Sequence, residues 1–288
     1  MRESEGSIRT AFLLNLGFTL LEFAGGVLTN SLAVTTDALH DLGDSFSLGL
    51  AWLFERIAGR KRTDLFSYGY QRFSLLSAVV NAVVLIAGSV LILSYAIPRL
   101  FAPEPVDAQG MMVFALLGVM VNGLAAFRVA RGKTMNERLV SWHLLEDALG
   151  WMGVLAVSII LQFRDLPVLD PAFSVIITLL ILAGVLRNFK QTAVIFLQGV
   201  PPSVTIEAVE EALTTIPGVV SVHDTHLWSL DGEHHILTLH LVVREGSDKD
   251  EFRRVTCEAR ERATALGITH VTIEIEEEGE SCTLAVDY

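Results

Sequence analysis

Six stretches of this chain are apolar over roughly the 20 residues that a membrane-spanning helix needs. They run from Ile8 to Thr29, Leu32 to Phe54, Leu75 to Ile97, Met111 to Phe127, about His143 to Phe163, and Pro171 to about Leu186. Polar, turn-rich segments separate them: ERIAGRKRTDLFSYGYQRF, PRLFAPEPVDAQG, RVARGKTMNERLV and FRDLPVLDP. After Pro201 and Pro202 the period changes. Val204 to Ile216 reads as a short helix closed by Pro217-Gly218, and VVSVHDTHLWSL and HILTLHLVV alternate as strands around the turn DGE. Asp248 to Leu266 then reads as a second helix and HVTIEIE as a third strand. The pattern predicts an α-helical membrane protein. A six-transmembrane-helix bundle over 1–199 is followed by a small α+β (αββαβ) domain over 200–288, its helices on one sheet face.

Charge sharpens this division. Of 21 basic and 33 acidic residues, 15 of each fall in 1–199, leaving 6 and 18 for the tail. The body is therefore neutral, and the whole net charge of −12 belongs to the tail, together with six of the eight His. Such a tail repels phosphates and excludes a nucleic-acid partner; acids and imidazoles together suit cations. Cys257 and Cys282 are the only cysteines and do not read as a disulfide framework. Lys and Arg set the orientation. Arg56, Arg60, Lys61, Arg62 and Arg72 follow the second stretch, and Arg128, Arg131, Lys133 and Arg138 follow the fourth. Arg187 and Lys190 follow the sixth, whereas the opposite loops hold only Arg99 and Arg164. Both termini are expected to face the cytoplasm, in a multi-pass protein of the cell (inner) membrane. The opening MRESEGSIRT carries acids and no cleavage site follows it, so the first stretch is expected to stay as a helix.

The chemistry lies in the second and fifth stretches. An ionisable group at mid-membrane costs about 2.5–3.5 kcal/mol on insertion scales. The segment TTDALHDLGDSFSLGL nevertheless holds Asp37, Asp41 and Asp44 beside His40. His40 and Asp44 stand at i,i+4, on one helix face, with Asp37 and Asp41 along the same flank. SWHLLEDALGW repeats the spacing with His143 and Asp147. Two imidazoles and two carboxylates make a four-coordinate set for a divalent ion of the zinc type. Magnesium and calcium want oxygen shells; cobalt, cadmium and iron remain open. Polar glue between helices is the plainer reading, and the recurrence of one spacing on two helices argues against it. Ligation needs neutral His and ionised Asp, so protons compete with the metal at the same atoms. That competition suits an antiporter. A metalloenzyme would need an open coordination position and a general base; Asp41 or Glu146 would be the spare carboxylate, but no HExxH or other hydrolase signature appears. A metal sensor would bind without flux.

In the tail, Leu237, Leu239, Leu241 and Val243 form one face of the second strand and turn His240 to the other. His223 shares a face with Ser221 and Thr225; Glu274 and Glu276 oppose Val271, Ile273 and Ile275. These polar faces either gather into a metal site or form a solvated sheet surface.

On these residues the chain resembles the cation diffusion facilitator family, in its zinc-transporting (cobalt-zinc-cadmium) branch. The likeness spans nearly the whole length through SLAVTTDALHDLGD, FSYGYQRFSLLSAVVNAVVL, DPAFSVIITLLI, LQGVP and VHDTHLWSL. The resemblance implies export of divalent metal from the cytoplasm in exchange for protons by a homodimer in the lipid bilayer, with no enzymatic activity and no cofactor. Zinc is then cargo, bound at His40, Asp44, His143 and Asp147, and a regulatory ligand in a dimerising tail at residues matching His223, His240 and Glu274. The chain departs from many relatives in having no His at its N-terminus or between the second and third, or fourth and fifth, stretches, and Ser74 stands where an acid is common.

Overall fold

Backbone polar groups in lipid are satisfied within a helix or a closed barrel, and the apolar two-thirds of this chain takes the first solution. In the computed structural model, residues 2–58, 62–129 and 135–280 are described, apart from the side chains of 2–11, 14, 48, 51, 52, 55, 56, 58, 129, 135–140 and 143. The helices are α1 Arg2–Thr29, α2 Leu32–Ala58, α3 Phe73–Phe101, α4 Ala108–Val129, α5 Met135–Phe163 and α6 Leu169–Phe196. Each overruns its apolar stretch, because apolarity marks the lipid boundary while the hydrogen-bond ladder continues until a breaker. Even Pro98 falls inside α3; it lies one turn from the end, and Ala102 N–H still bonds the Pro98 carbonyl at 3.0 Å. Among the described residues, four helices are long and apolar enough to cross a membrane: Phe73–Phe101, Ala108–Arg128, Leu144–Phe163 and Leu169–Phe196. The three aspartates of α2 lower its apolarity, and the side chains of α1 are described mainly beyond Ala11.

Two compact units are present: Met1–Arg56 with Ser77–Phe189, and Ile57–Leu76 with Lys190–Tyr288. The division falls at Phe189/Lys190, upstream of the expected 199/200, and the segment 57–76 joins the second unit. In the first unit Ala33, Val34, Met111, Ala115, Trp151, Val154 and Val157 form a buried core from α2, α4 and α5. Small residues allow the close approach. A Cβ at Gly118 would strike the Trp151 ring, one at Gly43 would strike Leu85, and one at Gly88 would strike Leu39, so α2 and α3 interlock reciprocally. One end of α2 is fixed by α6. The fully buried Asp170 accepts from Ser31 Oγ at 2.6 Å, Leu32 N at 2.8 Å and Ala33 N at 3.2 Å, which serves the otherwise unbonded N–H groups of a helix start. A turn further on, Thr36 and Ser174 hydroxyls meet at 2.6 Å.

The second unit adds α7 Ile206–Thr214, β1 Val219–Ser229, β2 His235–Val243, α8 Lys249–Ala265 and β3 Ile268–Glu277. Thr205 caps α7 and Asp248 caps α8, each accepting an N–H three residues on. The sheet order is β1-β2-β3, with β1 and β2 antiparallel and β2 and β3 parallel; the parallel pair follows from the crossover through α8. Val209, Leu213, Leu237, Leu239, Leu241, Val255 and Ala259 pack the two helices on one face. Within the same unit Phe66, Tyr70 and, at the start of α3, Phe73 cluster in tilted and edge-on contacts, with ring centroids 4.7, 5.9 and 5.5 Å apart, and Tyr68 meets the His270 ring edge-on at 5.6 Å.

Candidate metal centres

In the first unit α2 and α5 bring their HxxxD residues together. His40 Nε2 lies 3.9 Å from Asp44 Oδ2 and 3.9 Å from Asp147 Oδ1. Ligand atoms at about 2.0–2.1 Å from a tetrahedral zinc stand roughly 3.3 Å apart. The two His40 contacts each exceed that spacing by about half an ångström, and His40, Asp44 and Asp147 do not form a set of ligand atoms all within 4.8 Å of one another. The His143 side chain lies outside the described residues. Asn15 of α1 donates to Ser45 Oγ at 2.9 Å, which ties α1 to α2 one position beyond Asp44.

A second group stands nearby. Glu22 of α1 meets Asp37 and Asp41 of α2, with one oxygen of each within 4.8 Å of the others and all three residues buried. Glu22 is 1% exposed and neither of its oxygens accepts a hydrogen bond. Helical spacing puts Asp37 and Asp41 on one flank; the arrival of Glu22 from another helix is what the sequence leaves unsaid. The signal was a lone acid in an apolar run, which in a membrane segment marks a functional residue by default. Glu146 is exposed instead.

In the second unit, strand register sets His223, His240 and Glu274 side by side across β1, β2 and β3. The side chains then regroup. Glu276 Oε1 bonds His240 Nδ1 at 2.8 Å while its Oε2 lies 3.2 Å from His223 Nε2, so one carboxylate bridges both imidazoles. His240 Nε2 faces Glu274 Oε2 at 3.6 Å and Asp224 Oδ2 at 3.5 Å. Asp224 reaches it because a bulge after His223 sets its φ at 50°, in the left-handed region that Asp tolerates. His223, His240 and Glu276 make the tightest metal-competent set of this unit, whereas Glu274 is largely exposed. Neighbouring Asp231 accepts from the backbone of His234 and Glu233 at 2.8 and 3.0 Å and from the His234 ring at 2.8 Å. Burial pushes this carboxyl up, but these donors outweigh it and its pKa lies below the usual 3.8.

Donors of nitrogen and oxygen held inside long apolar helices, in a chain that also carries an acidic His-bearing sheet, match one known architecture along nearly the full length. Residues 8–197 fit the cation efflux transmembrane domain and residues 201–278 the cytoplasmic domain of cation efflux proteins. The chain belongs to the cation efflux family. It is similar to the cadmium, cobalt and zinc/H(+)-K(+) antiporter of Bacillus subtilis, 32% identical over 93% of this chain and 88% of that one. The metal cation efflux system protein CzcD of Cupriavidus metallidurans is 34% identical over 95% and 87%. The zinc transporter ZitB of Escherichia coli is 34% identical over 83% and 78%. The family resemblance drawn from the two HxxxD pairs is borne out, including its zinc branch. This cation efflux protein is a multi-pass membrane transporter with a cytoplasmic C-terminal domain that contains a small sheet.

Proposed function

We propose that this cation efflux protein exports zinc from the cytoplasm in exchange for protons, as a homodimer, with His40, Asp44, His143 and Asp147 as the transport ligands. The observation that carries the reading is His40 Nε2 at 3.9 Å from carboxylates on two different helices. Two carboxylates neutralise a divalent charge inside lipid, and imidazole favours zinc, cobalt or cadmium over magnesium. Protons arriving from outside titrate the same atoms and release the ion, and inward exposure reloads it. All six helices span the cell (inner) membrane in this reading, with both termini in the cytoplasm as the Lys and Arg loops require. Residues 1–199 conduct; residues 200–288 dimerise and bind regulatory metal at His223, His240 and Glu274, with Glu276 beside them. Nothing in this mechanism needs a resident cofactor or a catalysed reaction.

The test is metal uptake into vesicles containing the purified chain and a trapped pH dye. Zinc uptake should be accompanied by alkalinisation of the vesicle lumen as protons leave in exchange, and Asp44→Ala or Asp147→Ala, each removing a ligand and a neutralising charge, should abolish flux. Near-normal flux in both folded variants would remove these residues from the mechanism, and zinc binding without flux would leave a sensor.

A further inference from the structure

Beside His40, helices α2, α3 and α6 line a partly open cavity of about 10 Å³, bounded by Thr36, Leu39, His40, Ser89 and Thr178 among others. That volume is about one water probe sphere. Its polar lining is deeply buried, with Thr36, Ser89 and Thr178 at 3%, 4% and 2% exposure. The hydroxyl protons are largely committed elsewhere. Thr36 Oγ1 donates to the Leu32 carbonyl at 2.8 Å and therefore receives the Ser174 proton at 2.6 Å. Thr178 Oγ1 donates to the Ser174 carbonyl at 2.7 Å. Each threonine oxygen keeps a lone pair, so the cavity offers acceptors for a donor that enters it. The His40 ring forms one wall while its Nε2 edge faces Asp44 and Asp147. A metal-bound imidazole holds its second ring N–H against an acceptor, and that partner fixes ring orientation and basicity.

We propose that one water occupies this cavity, accepts the His40 Nδ1–H and donates to Thr36 and Thr178, with Ser89 completing its shell. Thr36, Ser89 and Thr178 are then positioning residues for the transport site, acting through the water on the His40 imidazole. A water with one donor and two or three acceptor or hydroxyl neighbours meets the usual two to four bonds of a buried water. The inference rests on His40 being a metal ligand, as proposed above.

The test uses the full chain carrying His223→Ala and His240→Ala, so that only the membrane site reports. Thr178→Val keeps the shape and removes the hydroxyl; Ser89→Ala does the same on α3; Thr178→Ser restores it. Zinc affinity is measured by competition and the ligand field by the visible bands of bound cobalt. The expected result is a 10–100-fold weaker zinc affinity and displaced cobalt bands in Thr178→Val and Ser89→Ala at unchanged melting temperature, with both recovered in Thr178→Ser. Affinity within twofold and an unchanged cobalt spectrum in both variants would overturn the proposal. If His40→Ala binds zinc like its parent, the ligand assignment itself falls and this inference with it.

Discussion

Glu276 stands between two imidazoles, and Glu274 two residues earlier on the same strand face reaches only one, at 3.6 Å. Strand alternation places both acids opposite Val271, Ile273 and Ile275, so the sequence names the face and leaves the choice between them open. What decides is side-chain reach and the bulge at Asp224, neither of which has a periodic signature. Glu276→Gln should therefore weaken zinc binding by the cytoplasmic unit by about 10–100-fold, the loss common for a ligand or its orienting partner, and Glu274→Gln by less. Calorimetric titration of the two variants checks the order, and a larger loss in Glu274→Gln would exchange their roles. Asp231 gives a pH-dependent prediction. Its folded pKa lies below 3.8 because backbone N–H groups and His234 favour the ionised form over the effect of burial. The carboxylate thus contributes stability above the unfolded value, lost as pH falls through the folded one. The melting difference between the parent and Asp231→Asn should be full near neutrality and shrink below about pH 4. A difference that grows on acidification would reverse the sign of the argument.

At the scale of elements, each apolar run falls within one of α1–α6, and among the described residues four of these helices are long and apolar enough to cross a membrane. Their ends were less legible: α6 runs past Leu186 to Phe196 through Arg187, Asn188 and Lys190 because nothing there breaks the ladder. The HxxxD spacing likewise gave the face of α2 but not its neighbours. That Asp170 of α6 caps the start of α2 could not be read from spacing, because the partners are 137–139 positions apart. Asp170→Ala should strand the Leu32 and Ala33 N–H groups and the Ser31 hydroxyl in a fully buried place. Each unmet buried donor costs about 1–3 kcal/mol, so the variant should melt well below the parent and lose flux, while Asp170→Asn, which keeps one acceptor, should lie between. Melting in detergent measures this. A parent-like Asp170→Ala would make the cap incidental to holding α2, and with it the position of His40.

At the scale of the molecule, neutrality of the body and −12 on the tail predict how paired cytoplasmic domains respond to metal. In the proposed homodimer two such tails repel, and salt screens only the part beyond about 8–10 Å. Metal at His223 and His240 adds positive charge where Asp224, Glu274 and Glu276 already crowd, which lowers the repulsion and favours a closer pair. The second unit also contains 57–76, the chain that leaves α2, so a change in that unit has a covalent route to the helix that carries His40. Cys257 on α8 is exposed and free, and with Cys282 replaced it takes a spin label in the full-length chain. Adding zinc should shorten the label-to-label distance between protomers, and raising salt without zinc should shorten it in part. Zinc at a hundredfold excess over its dissociation constant should also stabilise the folded cytoplasmic unit against unfolding by about 2.7 kcal/mol. The His223→Ala, His240→Ala chain should keep the response to salt and lose the response to zinc. If zinc leaves the distance unchanged in the parent, the tail pairs protomers without sensing metal, and feedback from cytosolic zinc to export has to be sought elsewhere in the chain.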